Sequence, residues 1–489
     1  MPTTSMNQLS THKVNHKKPN RKDPNTHFVT NRQIMLTNTP KIKTKKTLQE
    51  WPVNTIFSKF PSRNQKKCIQ LVQPNKKHRI FAIQVGQQVQ GLRMLTQIYN
   101  GHVLTPEGWI NGGSVIIEDC RIKEVSKSSR QLEGMDHHID AHGMHVVPGG
   151  IDLHCHGGGG RDFQECSRDA FETAALTHLK HGTTAIYATL SSSPIDMMEQ
   201  ACATCDELMK EPKSTIMGMH MEGPYFNPSR AGAQMPEVIR IPDVDEYHHI
   251  VEDFDCMRRW DTAPELPGAV EMGKYITGKG IVAAIGHTAA EYPHVKAAWD
   301  AGYTLATHFY NGMPGFHNVR EFKHAGTVES VYLLEDMAVE VIADGIHVPA
   351  TLLNLVYHIK GVEHTALCTD ALAVTDSESE HAFDPRVIIE DGVCKLSDRS
   401  ALAGSIATMD RLIKTMVRVV GVPLQDAVRM ASETPARIMG IYDRKGSLLR
   451  GKDADILLLD SDINLRGVYS MGEFVKGSDR NAPAEIVER

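Results

Sequence analysis

The sequence predicts an α/β protein with a (β/α)8 TIM-like barrel and a small β-sandwich domain built from both segments that flank the barrel. Two observations predict this fold. Apolar β runs alternate with helix-period stretches between about residues 145 and 445, and a barrel of eight such units needs about 250 residues. Short strand-like runs with turn signals lie before and after this region, and neither group can bury a core alone.

Length and composition limit the possible classes of protein. A chain of 489 residues with 41% hydrophobic residues can bury a large core. No stretch approaches the ~18 consecutive apolar residues of a membrane span, so we expect no membrane partner. The nine scattered cysteines indicate a reducing compartment, and we predict a cytoplasmic protein. Cys202 and Cys205 form a C-x-x-C in a helix-like run, where a structural role is favoured over zinc or redox chemistry.

Residues 1–93 differ from the rest of the chain. They carry 18 lysines and arginines but only 2 acidic residues, and the first glycine is Gly86. Without a sustained period of 3.6 or 2, we expect a disordered basic extension. Such an arm could bind nucleic acid or an anionic surface. We favour an over-extended reading frame with a native start at Met94, so nucleic acid is not an expected partner.

The small β domain is predicted in two parts. Residues 94–144 contain "TQIYNGHVLT" and "GSVIIEDCRIKEV", which read as short strands joined by turns. Residues 446–489 supply the second part and a tail. The run "DGVCKLSDRS" at 391–400 is a strand region that belongs either to the small domain or to an insertion in the barrel.

The barrel is predicted over residues 145–390, with its C-terminal helices at 401–445. "SRDAFETAALTHLKHG" (167–182) is typical of an intervening helix. The structural alternative is a doubly wound open sheet, but "GGGG" at 157–160 is not followed by the helix opening of a dinucleotide site. The β runs after the first are "TTAIYATL" (183–190), "TIMGMHMEGP" (215–224), "IVAAIGHT" (281–288), "TLATHFYN" (304–311), "AVEVIADGIH" (338–347) and "TALCTDAL" (365–372).

Metal-binding and proton-transferring residue types stand at the ends of these runs. His154 and His156 close the first run, "IDLHCHGGGG", and their side chains share one face because successive strand residues point to opposite faces. Taken singly, each such residue would be an ordinary core or loop residue. Together they form the ligand set expected for zinc or another borderline divalent ion. The other strand-end residues are Glu222, His287, His308, His347 and Asp370.

These motifs carry a family resemblance. The chain combines "PGGIDLHCHGGGGRDF", "HMEGPYFNPSRAGAQ", "AIGHT", "THFYNGMP", "IADGIHV", "CTDAL" and "LAGS". In this combination it resembles the N-acetylglucosamine-6-phosphate deacetylases of the amidohydrolase superfamily, from Met94 to about Val475. Many amidohydrolases bridge two metals with a carboxylated lysine, whereas Glu222 stands at the corresponding strand here, as in the deacetylases.

The resemblance implies a divalent metal cofactor, with zinc expected and one or two ions per subunit. It also implies that Asp370 is the general acid and base, and that the protein is a homodimer. The implied ligands are Glu222, His287 and His308 for the main metal, and His154 and His156 for a second.

A phosphosugar substrate follows from the same resemblance. Arg320 and His347 would reach its 6-phosphate, either within one chain or across a dimer interface. "NGMPGFHNVREFK" is one residue longer than the family pattern before Arg320, which weakens that assignment. The implied lining of the sugar pocket is Ala233, Gln234, Asn311, Gly312, Leu402, Ala403 and Gly404.

Gln234 departs from the pattern of the family members that have a histidine there, which is thought to polarise the acetyl carbonyl. The amide NH2 of Gln234 could still donate a hydrogen bond to that oxygen. Alternatively, a second metal ion would take over the polarisation.

The predicted reaction is hydrolysis of the acetamide of N-acetyl-D-glucosamine 6-phosphate to D-glucosamine 6-phosphate and acetate, in amino-sugar catabolism. An amide is a poor electrophile, so hydrolysis near pH 7 needs a metal-activated water, and Asp370 can transfer its proton to the leaving amine. One alternative is another metal-dependent hydrolase on the same barrel, such as a cyclic-amide hydrolase or an aminoacylase. A second is a non-catalytic barrel, with the basic arm as an RNA or surface tether. That alternative predicts a lost ligand, but every expected position is filled.

Overall fold

The computed structural model describes residues 93–379 and 381–475. The predicted disordered extension, apart from residue 93, and the tail after 475 lie outside the described residues. Within the described part of the chain, none of the helices combines the length and the apolar character that a membrane span requires.

Five strands open the described chain and form the first part of the small β domain. The first of them pairs antiparallel with the second and parallel with both the fourth and the fifth. Register shifts between Ile98 and Val103 allow this one strand to reach both of its parallel partners. The strands are β1 (Leu95–Thr105), β2 (Gly108–Glu118), β3 (Arg121–Ser126), β4 (His137–Asp140) and β5 (His145–Pro148).

The barrel segment alternates strands and helices. Its strands are β6 (Gly150–Cys155), β7 (Gly157–Gly158), β8 (Arg161–Asp162), β9 (Thr183–Ser191), β10 (Ile216–Glu222), β11 (Met257–Thr262), β12 (Val282–Ile285), β13 (Tyr303–Ala306), β14 (His317–Val319), β15 (Phe322–His324), β16 (Ala338–Ile342), β17 (Thr365–Cys368), β18 (Val387–Glu390) and β19 (Val393–Leu396). Its helices are α1 (Arg168–Lys180), α2 (Ile195–Met209), α3 (Val244–Asp253), α4 (Ala269–Gly278), α5 (Tyr292–Asp300), α6 (Thr327–Leu333), α7 (Ala350–Lys360), α8 (Met409–Thr415), α9 (Leu424–Ala431) and α10 (Glu433–Ile438).

Eight of these strands form the predicted barrel. They are parallel and lie side by side in chain order, as β6, β9, β10, β11, β12, β13, β16 and β17. All residues of β6 and all but the last of β9 are buried, because side chains fill the barrel on one face and helices cover the other. The predicted helix at 167–182 is observed as α1, and the Ser167 side chain caps it by accepting from the Ala170 N–H.

Hydrogen bonds join the first and last barrel strands at their C-terminal ends. The Asp370 N–H donates to the His154 carbonyl at 2.8 Å, and the His156 N–H donates to the Ala371 carbonyl at 2.9 Å. The Asp152 carboxylate accepts from the Thr369 hydroxyl at 2.6 Å across the same seam. Barrel closure therefore places Asp370 next to His154 and His156, although they are far apart in the chain.

Strand β11 was not among the β runs identified in the sequence. Its residues read "MRRWDT" and lack the apolar run that marks the other barrel strands. Arg259 and Asp261 are nevertheless fully buried, because their side chains bond to each other inside the barrel. A strand whose buried positions are charged cannot be recognised from hydrophobic periodicity.

The C-terminal part of the small domain consists of β20 (Ile456–Leu459), β21 (Leu465–Ser470) and β22 (Glu473–Val475). Strand β20 pairs antiparallel with β5, so both flanking segments contribute to one sheet. The hydrogen-bonded ladder is continuous rather than divided into the two sheets of a sandwich, and β4 attaches to it through β1. Both segments contribute residues to one apolar core, which includes Ile98, Val115, Val146, Ile456 and Tyr469.

The 391–400 region does not join this sheet. Strands β18 and β19 pair with each other as an antiparallel hairpin that is inserted between β17 and α8. An isolated bridge from Lys395 to Leu402 ties the hairpin to the loop that follows it. Of the two alternatives, the structure favours an insertion in the barrel.

Candidate active site

A cavity of about 420 Å³ opens at the C-terminal ends of the barrel strands. This is the end at which barrel enzymes carry their active sites. The predicted metal and catalytic residues that line it are His156, Glu222, His287, His308 and Asp370, and His154 lies buried directly beside them.

One cluster consists of Glu222, His287 and His308. The Glu222 Oε1 atom lies 3.0 Å from His287 Nε2 and 3.1 Å from His308 Nε2, and the two Nε2 atoms are 3.1 Å apart. His287 Nδ1 donates to the Arg230 carbonyl at 2.8 Å, so its Nε2 lone pair is free to bind a cation. Two imidazoles and a carboxylate that converge in this way fit a divalent metal ion.

The second cluster contains the H-x-H pair and Asp370. The Nε2 atoms of His154 and His156 are 3.2 Å apart. Asp370 Oδ1 lies 3.1 Å from His156 Nε2 and 3.5 Å from His154 Nε2. The two clusters meet at Glu222, whose Oε2 atom lies 3.3 Å from His156 Nε2. Glu222, His287 and His308 could therefore hold one metal ion, and His154, His156 and Asp370 offer ligand atoms for a second.

The backbone at three of these residues is unusual. His287, His308 and Asp370 have φ values of 43°, 27° and 48°, in the left-handed region that residues with a Cβ seldom adopt. Such conformations persist only where the surrounding structure holds them, and they are concentrated at functional sites. This strain is independent evidence that the strand ends are organised for function.

The carboxylates favour positive charge at the histidines. Burial opposes protonation of His156, yet Asp370 and Glu222 raise its pKa to about 9. Burial also acts against His154, but Asp370, Glu222 and Glu340 hold its pKa well above the usual value. The site is therefore built to contain positive charge, carried by protons or by metal ions.

Metal binding is expected to release protons. Because the raised pKa of His156 keeps it protonated below about pH 9, an ion can bind its Nε2 only after that proton leaves. We expect Zn²⁺ binding to metal-depleted protein at pH 7.5 to release at least about one proton, and the affinity to fall as the pH is lowered. Calorimetric titration in buffers of different ionisation enthalpy measures the release. Binding heats that are independent of the buffer would contradict this expectation.

The predicted substrate residues lie around the same cavity, with one exception. His347 is the most informative of them. Its side chain is only 3% exposed, and Nδ1 bonds to Asp344 Oδ2 at 2.8 Å. Its Nε2 has no hydrogen-bond partner among the described residues, so it is available to a bound polar group. The other predicted residues that line the cavity are Ala233, Gln234, Asn311, Gly312, Leu402, Ala403 and Gly404.

Arg320 is the exception. It is exposed in the turn between β14 and β15, and it does not line the cavity of its own chain. A contact between Arg320 and a bound phosphate would therefore need the arginine of a second subunit, which stays a prediction.

Arg386 is a cationic side chain that lines the cavity and was not among the predicted site residues. It donates to Asp384 Oδ2 at 2.6 Å and to the Ala233 carbonyl at 2.7 Å. No motif marks this arginine, because its position depends on how the insertion before β18 folds over the cavity.

Gln234 bonds directly to one predicted metal ligand, Glu222. Its Nε2 donates to Glu222 Oε2 at 2.6 Å, and its Oε1 accepts from the Ser192 N–H at 2.8 Å. These two bonds fix the orientation of the amide. One N–H remains for a substrate oxygen, so the predicted contact with the acetyl group stays a prediction.

Comparison with known proteins finds an amidohydrolase family match and similar sugar-phosphate deacetylases. Residues 145–485 match the model of the amidohydrolase family. An N-acetylglucosamine-6-phosphate deacetylase from Bacillus subtilis (strain 168) is 31% identical over 368 residues, 74% of this chain and 92% of the relative. An N-acetylgalactosamine-6-phosphate deacetylase from Escherichia coli O157:H7 is 28% identical over 376 residues, 76% of this chain and 97% of the relative.

Solved structures agree with these sequence matches. A mutant N-acetyl-D-glucosamine-6-phosphate deacetylase from Mycobacterium smegmatis, in complex with N-acetyl-D-glucosamine-6-phosphate, superposes with a TM-score of 0.72. It is 30% identical to this chain, and the match covers 78% of this chain and 99% of that one.

Proposed function

The chain belongs to the amidohydrolase family, and we propose that it hydrolyses the acetamide of N-acetyl-D-glucosamine 6-phosphate to D-glucosamine 6-phosphate and acetate. The observation that carries the proposal is the convergence of Glu222, His287 and His308 beside Asp370 in one cavity. This arrangement supports hydrolysis of an amide by activated water. The relatives supply the substrate class, because the metal cluster alone hardly distinguishes one amide from another.

The cofactor is a divalent metal ion, and we infer that it is zinc. Glu222, His287 and His308 would hold the main ion, while His154 and His156 would complete a second position. When bound, the ion would lower the pKa of a coordinated water to about 7 and stabilise the negative charge that develops on the amide oxygen. Mixed imidazole and carboxylate ligands suit zinc, although they also suit other borderline ions.

Asp370 moves the proton. Its Oδ1 atom lies 3.1 Å from His156 Nε2, within the cluster of His154, His156 and Asp370. From there the carboxylate accepts a proton from the attacking water and later donates it to the amide nitrogen as the C–N bond breaks. The amine must leave protonated, so one residue acts first as a base and then as an acid.

The substrate residues orient the sugar phosphate. His347 Nε2 is free to bind an oxygen of the 6-phosphate, and Asp344 holds the ring in place. Arg320 would supply a planar cation from the second subunit of a homodimer. Arg320 is exposed on the hairpin of β14 and β15, between the exposed Val319 and Phe322, which suits a residue at a subunit contact. We also propose a cytoplasmic location, as the scattered cysteines of the sequence indicate.

Acetate release tests the proposal. Zinc-loaded protein is assayed with N-acetylglucosamine 6-phosphate, with the same sugar lacking phosphate, and after chelation of the metal. We expect release that requires both the phosphate and the metal. N-Acetylgalactosamine 6-phosphate tests the alternative suggested by the Escherichia coli relative, because the two sugars differ only in the configuration at C4. A folded, metal-loaded protein that releases no acetate from either phosphosugar would contradict the proposal.

A further inference from the structure

A fully buried network of charged side chains lies next to the two clusters of predicted metal ligands. Arg259 has no exposed surface, and its guanidinium binds two carboxylates. It contacts Asp261 through Nε at 2.9 Å and through NH2 at 3.1 Å. It also contacts Glu340 through NH1 at 2.5 Å and through NH2 at 2.8 Å.

Stability alone is a poor explanation for this network. Moving an arginine and two carboxylates out of water has a large desolvation penalty. The attraction between the buried charges often does no more than offset that penalty. Apolar residues of similar volume often replace buried ion pairs without loss of stability. Glu340 also interrupts an otherwise apolar strand, "AVEVI". A charged residue in a buried, otherwise apolar strand points to a role in the adjacent site.

Glu340 connects the network to two predicted metal ligands. Its Oε1 atom accepts from His154 Nδ1 at 2.9 Å and from the His308 N–H at 3.2 Å. A carboxylate bound to arginine only accepts hydrogen bonds, so Nδ1 of His154 carries a proton whether the ring is charged or neutral. When the Nε2 proton leaves for a metal ion, the Nε2 lone pair points toward His156 and Asp370, where a second ion would bind.

We propose that Glu340, held by Arg259, is a positioning residue that orients His154 for metal binding at the His154/His156 position. It acts through His154 and touches neither substrate nor ion. Arg259 fixes both oxygens of Glu340, and Glu340 in turn fixes the tautomer and the ring plane of His154. Outer partners of this kind typically contribute roughly 10–100-fold to metal affinity. The inference rests on the metal-dependent function proposed above, but it concerns binding of the ion and not the identity of the substrate.

The test is a Zn²⁺ titration of metal-depleted full-length protein without substrate, with a competing chromophoric chelator, followed by metal analysis of the dialysed samples. In Glu340→Gln, Arg259 keeps its two bonds to Asp261, which favours retention of the fold. We expect the second Zn²⁺ to bind roughly 10–100-fold more weakly than in the wild type, with a smaller change at the first. Asp261→Asn is the matched control, since it removes the other carboxylate bound to Arg259. Among the described residues, the side-chain partners of Asp261 are Arg259, Thr307 and His220, none of which is a predicted metal ligand.

The outcomes separate positioning from packing. Selective loss of the second Zn²⁺ in Glu340→Gln but not in Asp261→Asn supports the proposal. Equal loss in both variants, unchanged affinity in Glu340→Gln, or a wild-type protein that never binds a second ion would overturn it. If Glu340→Gln fails to fold, Glu340→Asp keeps the charge but moves the carboxylate from His154 Nδ1, and the same selective loss is expected. A failure of the proposed deacetylase activity is distinguishable, because Zn²⁺ binding would then remain normal while no acetate is released.

Discussion

Replacement of Asp370 by asparagine is expected to lower kcat by about 10²–10⁴-fold while the protein keeps its metal. The amide of asparagine has nearly the same shape as the carboxylate, but it cannot take up and return a proton at neutral pH. Glu222, His287 and His308, which would hold the main ion, are unchanged by this substitution. The loss should therefore fall on the chemical step, with a much smaller change in KM.

Steady-state kinetics on the phosphosugar and metal analysis of the same sample check this result. Asp162→Asn is the matched control, because Asp162 is a second buried carboxylate that lines the cavity. Its Oδ1 accepts from the Gln164 N–H at 2.9 Å, and that bond survives in asparagine. Loss of metal in Asp370→Asn would make Asp370 chiefly a ligand. Full activity would assign the proton transfer to another group.

Replacement of Glu222 by glutamine is expected to abolish activity by removing the metal. Glu222 Oε1 faces His287 and His308, whereas Oε2 faces His156, so one substitution weakens both clusters. Gln234 Nε2 already donates to Oε2, and an amide nitrogen placed at either oxygen would bring a donor where an acceptor is required. The fall in metal affinity should exceed the roughly 10–100-fold typical of an outer partner.

Zn²⁺ titration and metal analysis of purified Glu222→Gln measure this loss, with thermal unfolding as a check on the fold. Glu265→Gln is a suitable control, since Glu265 is a half-buried carboxylate with other partners. It accepts hydrogen bonds from Asn227, Thr288 and Ala289, and in the described part of the chain none of its hydrogen bonds goes to a site histidine. A Glu222→Gln protein that binds Zn²⁺ as tightly as the wild type would show that the three-residue cluster is not the main metal position.

Much of the site was predictable because its signals are local. The i, i+2 spacing of His154 and His156 puts both rings on one face of any strand. Glu222, His287, His308 and Asp370 each follow an apolar run, and a parallel barrel collects such strand ends at one rim. The clusters found in the structure contain these residues. The barrel and the candidate residues at its strand ends therefore followed from residue type, spacing and strand period. Their division into two metal positions came from the family resemblance and stays a prediction.

Other features follow only from tertiary contacts. Strand β11 escaped detection because Arg259 and Asp261 are buried as an ion pair, which hydrophobic periodicity does not register. Arg386 lines the cavity and Arg320 does not. Both arginines lie in loops, and no sequence motif predicts how these loops fold.

Hydrophobic periodicity and residue type were enough to predict the barrel, a small β domain built from both flanking segments, and the polar residues at the strand ends. The partners of these residues, such as Glu222 for Gln234 or Glu340 for His154, became known only from the folded structure. Local periodicity shows which face of a strand or helix a side chain takes. The hydrogen bond that a buried polar atom makes depends instead on which distant strand or loop lies opposite it once the barrel has closed.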